Sequence, residues 1–217
     1  MTSNLAVQDS AQDDKALREA ADIVAIQQLI LRERSSRDLG LWEQMHDCFH
    51  DDSIVRLSWI DAGGPEFVRR SKEMAERNKI KASHRLGPIL VTLSGDRAIA
   101  QLGAIIDIPG KVRGVAVIVS SHARFLFRAE RRAGVWRIFG FDVIYQRDEI
   151  NPVIPGQVVT IEPNELKNFR PPYQLLSFCL MSGGYKARLD LAGVDRPDLV
   201  DALTREVYGW AGLTPPR

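Results

Sequence analysis

Cysteine is nearly missing from this chain: Cys48 and Cys179 are the only two in 217 residues, and they form no CxxC pair. That excludes a disulfide framework and a thioredoxin-like redox motif, and predicts a cytoplasmic protein with two buried thiols. Long apolar runs are also missing; none approaches the roughly 18 residues that span a bilayer, so no membrane partner is expected. There is no excess of charge, with 29 basic and 28 acidic side chains and a formal net charge of +1. Nucleic acid is therefore not an expected partner. No GxGxxG, GxxxxGK[ST], HExxH or nucleophile-elbow pattern occurs, which leaves nothing to mark a phosphate loop, a zincin or an esterase. His46 and His50 have a spacing that can ligate zinc, with Asp47, Asp51 and Asp52 nearby, but without HExxH no metal site is expected. Nor is any cofactor expected. The charge-dense segments 68–72 and 128–132 read as solvated faces.

What is present is enough apolar material for a core, at 45% of residues. Residues 1–14 are polar and acidic; they read as a disordered lead-in rather than a secretory signal. A helix follows, with Asp22 as its cap and Ile26, Leu29, Ile30 and Glu33 on one stripe. Gly40 interrupts it, and Trp42, Met45 and Phe49 mark a short second helix. A strand is predicted over 53–60 and a helix over 65–78, started by Pro65. From Ser83 the period changes to that of strands: 89–93, 98–108, 112–128 and 135–146, with turns at Ser94-Gly95-Asp96, Pro109-Gly110 and 131–134. Two helices, 172–181 and 197–210, close the chain. Helices first and then a meander of long strands is an α+β pattern.

Several segments carry a family likeness. They are Asp38-Leu39-Gly40-Leu41-Trp42, Phe49-His50-Asp51-Asp52, Ser83-His84-Arg85-Leu86-Gly87, Gly95-Asp96-Arg97-Ala98 and Gly134-Val135-Trp136-Arg137-Ile138. Through them, residues 22–148 resemble the SnoaL-like branch of the nuclear-transport-factor-2-like superfamily. The tail, with Pro172-Tyr173-Gln174-Leu175-Leu176 and Asp195-Arg196-Pro197, looks like the extension found in many members. The resemblance implies a cone-shaped, curved antiparallel sheet wrapped by N-terminal helices. It divides the chain into a lead-in (1–14), a domain (15–150) and a helical extension (151–217) that packs on the domain or on a neighbouring subunit. It also implies a homo-oligomer, dimer or trimer, in which the outer sheet face meets a copy of itself. The superfamily spans dehydratases, isomerases, cyclases, lignin-dimer formaldehyde lyases and non-catalytic members, so the fold alone does not decide the reaction.

In the dehydratase members a Tyr, an Asp and a His share the acid/base work. Asp38 and His84 match the last two, while the Tyr position, five residues before the Asp, is Glu33. His84 has a side chain that titrates near neutrality and suits a base. Asp38 either orients it or caps the next helix. Glu33 is either a surface ion-pair partner of Arg37 or a carboxylate facing the pocket. Arg85 and Arg124, if inward, would stabilise an oxyanion. Trp59, Phe67, Leu86 and Ile106 are expected to line the pocket, with His122 and Tyr145 as further candidates. Such a lining suits a hydrophobic aromatic small molecule. The expected activity is a cofactor-independent lyase that removes water or formaldehyde from a hydroxylated aromatic compound. An isomerase or cyclase and a non-catalytic ligand-binding module remain as alternatives.

Overall fold

Between Thr2 and Leu39 the sequence contains no glycine and no proline, and Ala, Leu, Gln, Arg and Glu recur throughout. In the computed structural model, which describes residues 2–78 and 81–216, this stretch is one helix, α1 (Thr2–Leu39). Residues 2–14 of the segment expected as a disordered lead-in fall within α1, because nothing in them breaks a helix. Asp22 is correspondingly not a cap. It lies mid-helix, and its carboxylate accepts bonds from Arg131 (2.9 Å) and the Trp136 indole (2.8 Å), tying α1 to the sheet. The apolar stripe is as the spacing implies, with Ile26, Leu29, Ile30 and Glu33 all buried. The helix ends where Gly40 takes φ 75°, and the Leu41 amide bonds to the Ser36 carbonyl at 2.9 Å. This is the Schellman closure that a glycine permits.

The chain continues through α2 (Trp42–His46), β1 (Phe49–Leu57), β2 (Ile60–Ala62), α3 (Gly64–Asn78), β3 (Ser83–Leu86) and β4 (Leu90–Ser94). Three long strands follow: β5 (Arg97–Val112), β6 (Val115–Arg132) and β7 (Val135–Pro152). The tail holds α4 (Pro163–Leu166), a 3₁₀ turn (Pro171–Tyr173), α5 (Gln174–Ser182) and α6 (Pro197–Trp210). The hairpins close on two-residue loops, Arg113-Gly114 and Ala133-Gly134, with all four residues at positive φ. That conformation matches the twist of the flanking strands. The turn expected at Pro109-Gly110 is therefore displaced by four residues. Pro109 is tolerated inside β5 because β3 ends opposite Asp107, so at Pro109 the strand is bonded to β6 alone.

The strands form an open, curved seven-stranded sheet in the order β2-β1-β7-β6-β5-β3, with β4 also paired to β5. One pairing departs from the expected antiparallel pattern, since β1 runs parallel to β7. On the inner face Phe125, Phe127 and Phe141 form an aromatic cluster, with Phe127 and Phe141 stacked at 4.3 Å and Phe125 edge-on to Phe141 at 5.1 Å. Each such pair adds about 1 kcal/mol beyond area burial. The outer face carries α6, whose Val207 and Tyr208 pack on Ile99, while Trp210 stacks on Phe139 at 5.2 Å. Beneath α6, Asp142 binds Arg56 (2.5 Å) and Arg128 (3.0 Å), and both arginines reach Glu206 of α6. The chain's own α6 thus covers the part of the outer face around Ile99, Leu126 and Ile144. Among the described residues no helix is long and apolar enough to cross a membrane.

Candidate active site

The wrapped sheet, α1, α3 and α5 enclose a cavity of about 510 Å³. Its walls include Trp59, Phe67, Ile106, Phe141 and Tyr145, joined by Leu176, Phe178 and Leu180 from the tail. Two ionisable centres meet there, one shared by α1 and β3 and one on α1 alone.

The first is a hydrogen-bonded pair. Strand alternation turns His84 inward, and the last turn of α1 brings Asp38 alongside. Asp38 Oδ2 accepts the His84 backbone amide at 2.8 Å, and Oδ1 lies 2.6 Å from Nδ1. Holding the strand edge and the ring together leaves the imidazole one orientation. An ionised carboxylate can only accept, so Nδ1 carries the proton and Nε2 presents its lone pair. Burial lowers the His84 pKa; the bond His84 donates to Asp38 opposes this, and the Arg34 and Arg37 charges add to the lowering. Burial alone would raise Asp38, but the bonds from His84 outweigh it and hold the carboxyl below its ordinary range. The resting site is therefore a neutral base beside a carboxylate.

The second centre is Arg34, whose side chain is 3% exposed. Glu33, fully buried, accepts from its Nε and Nη2 in a bidentate pair. Arg34 also lies over the rings of Phe141 (4.9 Å) and Phe67 (5.7 Å). The nitrogen left over, Nη1, stands 3.4 Å from His84 Nε2. A fixed cation thus sits next to the lone pair of the base. Arg37, one turn on, also lines the cavity, and burial and then the nearby Arg34 lower its pKa to about 10.

The structure brings some of the expected residues together and separates others. Asp38 and His84 meet, and Asp38 does not cap α2, whose N-cap position is held by Leu41. Glu33 is buried, but it faces Arg34 rather than the cavity or Arg37. Arg85 points away: its side chain is 61% exposed and pairs with Asp107 at 2.7 Å, the odd neighbour of an inward His84. Arg124 and His122 do not line the cavity either. Arg124 shares the outward parity of Leu126 under α6, and His122 stands 3.5 Å from Glu149. Leu86 packs into the core without reaching the cavity. Tyr145 does line it, but its hydroxyl accepts the Ser58 amide at 2.9 Å, and burial pushes its pKa to about 12. Among the described residues no group of three His, Cys, Asp or Glu converges as a metal site would; His50 bonds instead to the Glu130 carbonyl at 3.0 Å.

Arg34 and Arg37 were missed by the sequence reading. The signal was available, since Ile30, Arg34, Arg37 and Asp38 continue the buried stripe of α1 at the same helical spacing. The tail's share of the cavity wall left no such signal.

The SnoaL-like domain family matches residues 18–142, more than half of the chain. The chain belongs to this family. It is similar to pea pathogenicity protein 2 of Fusarium vanettenii, at 27% identity over 79% of this chain and 77% of that protein. A PEP2-like protein of the same fungus is also 27% identical, over 87% of both chains. Among solved structures, a hexachlorocyclohexane dehydrochlorinase from Novosphingobium barchaimii LL02 superposes with a TM-score of 0.54. It is 18% identical, with 68% of this chain and 99% of that one covered, which is a likeness of fold.

Proposed function

We propose that this SnoaL-like protein is a cofactor-independent lyase that eliminates a small neutral molecule from a hydroxylated aromatic compound. The observation that carries this reading is the buried Asp38–His84 pair, whose Nε2 lone pair opens on an apolar cavity beside the Arg34 cation. Nε2 takes a proton from the substrate. The electron pair left behind forms the new double bond and expels hydroxide from the neighbouring carbon, and the imidazolium returns its proton to that oxygen, so water leaves and the histidine is restored. Asp38 stabilises the imidazolium between the two transfers. Arg34 stabilises the negative charge that develops on the substrate oxygen; its pairing with Glu33 fixes it in place before the reaction, so no reorganisation is needed. A para-hydroxyl on the ring lets the substrate delocalise the electrons itself, through a quinone methide. Where the substrate bears a hydroxymethyl group, the same base takes the hydroxyl proton, the carbon–carbon bond breaks to release formaldehyde, and the electron pair left on the substrate carbon takes the proton back from the imidazolium, which restores the histidine.

The name of the neighbouring dehydrochlorinase describes an elimination, which supports the class of reaction but not the substrate. The test is to incubate the purified protein with hydroxylated aromatic monomers and dimers and follow products by mass spectrometry. Loss of the mass of water or of formaldehyde is expected, and His84→Ala should abolish it. A product of unchanged mass that depends on His84 would instead identify an isomerase built on the same base.

A further inference from the structure

The cations of the cavity wall are unequal. Arg34 is neutralised by Glu33, and Arg113, further along the wall, bonds to Glu165 (2.6 Å) and the Thr160 carbonyl (2.9 Å). Arg37 has neither. Among the described residues no carboxylate or carbonyl oxygen is hydrogen-bonded to its guanidinium, which lies over the face of Trp42 at 5.6 Å; Asp38 and Glu33 act on it only through space. Asp38, next in sequence, bonds His84 through both of its oxygens.

We propose that Arg37 binds a carboxylate of the substrate, so that the cavity selects aromatic acids over their neutral counterparts. This deepens the lyase reading by naming a substrate class, and it rests on that reading only for the step that follows binding. A guanidinium sheltered from water without an anion is costly, and a planar carboxylate repays it with two parallel bonds that a neutral phenol or amide cannot match. The lowered pKa of Arg37 has the same origin, burial first and Arg34 second, only partly offset by the nearby Asp38 and Glu33 charges. The placement gives the acid group a direction. Arg37 and His84 line the same cavity, and the Arg37 charge is close enough to lower the His84 pKa, so a carboxylate held by Arg37 lies on the His84 side of the cavity, with the aromatic body directed toward Trp59 and Phe67. The carbon that loses a proton is then close to the acid group.

The experiment is calorimetric titration with 3-(4-hydroxyphenyl)propanoate and with its primary amide, on the intact protein and on the Arg37→Gln and Arg37→Lys variants. The acid should bind the wild type at least about tenfold more tightly than the amide. Arg37→Gln should erase that preference while leaving amide binding intact, which also reports that the variant is folded; Arg37→Lys should keep part of it. Equal affinity of acid and amide for the wild type, no binding of either, or a preference that survives Arg37→Gln would overturn the proposal. If Arg37 serves only the C-terminal end of α1, its variants lose thermal stability and the acid-to-amide ratio does not move, which also overturns it. The two readings fail separately: acid preference with no turnover removes the elimination and keeps the carboxylate subsite, while turnover without acid preference does the reverse.

Discussion

At the scale of single residues, His84 is held by Asp38 at two points, through the backbone amide and through Nδ1. The carboxylate therefore sets both the tautomer and the aim of Nε2. Asp38→Asn should lower turnover by about 10²- to 10⁴-fold while the substrate still binds, and His84→Ala should do at least as much; steady-state kinetics with calorimetric binding checks both. The pH dependence has a definite sign. Burial, with Arg34 and Arg37 adding to it, puts the folded His84 pKa below the ordinary 6.5. The base is then neutral wherever an exposed histidine is, and for some distance below. The acidic limb of kcat/KM should accordingly lie under pH 6.5, and the double variant Glu33→Gln/Arg34→Gln should move it upward. Changing both partners matters, because Arg34→Gln alone strands the buried Glu33 carboxylate and should cost about 3–5 kcal/mol in denaturant unfolding.

At the scale of elements, two chain features position the site. Gly40 ends α1 one turn after Arg37, so that Asp38 reaches β3, and the short edge strand β3 leaves its amide at His84 available to that carboxylate. A third feature holds the cavity wall. Asp148 of β7 accepts the Leu176 amide at 2.8 Å at the start of α5, and its other oxygen is buried without a partner. Burial raises its pKa to about 6 despite the amide bonds from Leu176 and Leu175. A carboxyl raised on folding contributes stability that is complete below its unfolded pKa and is lost as pH rises through the folded one. The protein should therefore lose on the order of 1 kcal/mol between pH 4 and 6 from this group, after allowance for partial solvent access. Asp148→Asn should flatten that part of the melting-temperature profile; an unchanged profile would remove Asp148 as its source.

Elements also show what the sequence could convey. The long strands and the buried stripe of α1 were legible because their periods of 2 and 3.6 extend over many residues. Pro109-Gly110 misled because that dipeptide usually punctuates, while the actual turn at Arg113-Gly114 lacks a conventional hairpin pair. Arg85 was misplaced by the parity problem that accompanies any strand: a one-residue step reverses the face, and only the Asp38 contact establishes that His84 is the inward neighbour. Leu176, Phe178 and Leu180 were beyond sequence reasoning because their place in the wall depends on how the tail folds back across the sheet.

At the scale of the whole molecule, the tail serves both faces of the sheet. Its α5 closes the cavity within, and its α6 covers Ile99, Leu126 and Ile144 without. Asp142 fixes that arrangement because it is the buried acid between Arg56 and Arg128. Asp142→Asn should destabilise the protein by about 3 kcal/mol, whereas Glu206→Gln, at a carboxylate 46% exposed, should cost under about 1 kcal/mol. Removing residues 196–217 should uncover the apolar outer face and raise the mass measured by light scattering, and an unchanged mass would mean that α6 is dispensable as a cover.

The proposed elimination depends on a neutral His84 held by Asp38. The most direct test is turnover of a panel of hydroxylated aromatic monomers and dimers, followed by mass spectrometry together with a formaldehyde assay, in parallel for the wild type and His84→Ala. The expected result is a product lighter by water or by formaldehyde from the wild type and none from the variant. Equal product from both proteins, or binding across the panel with no product from either, would contradict it.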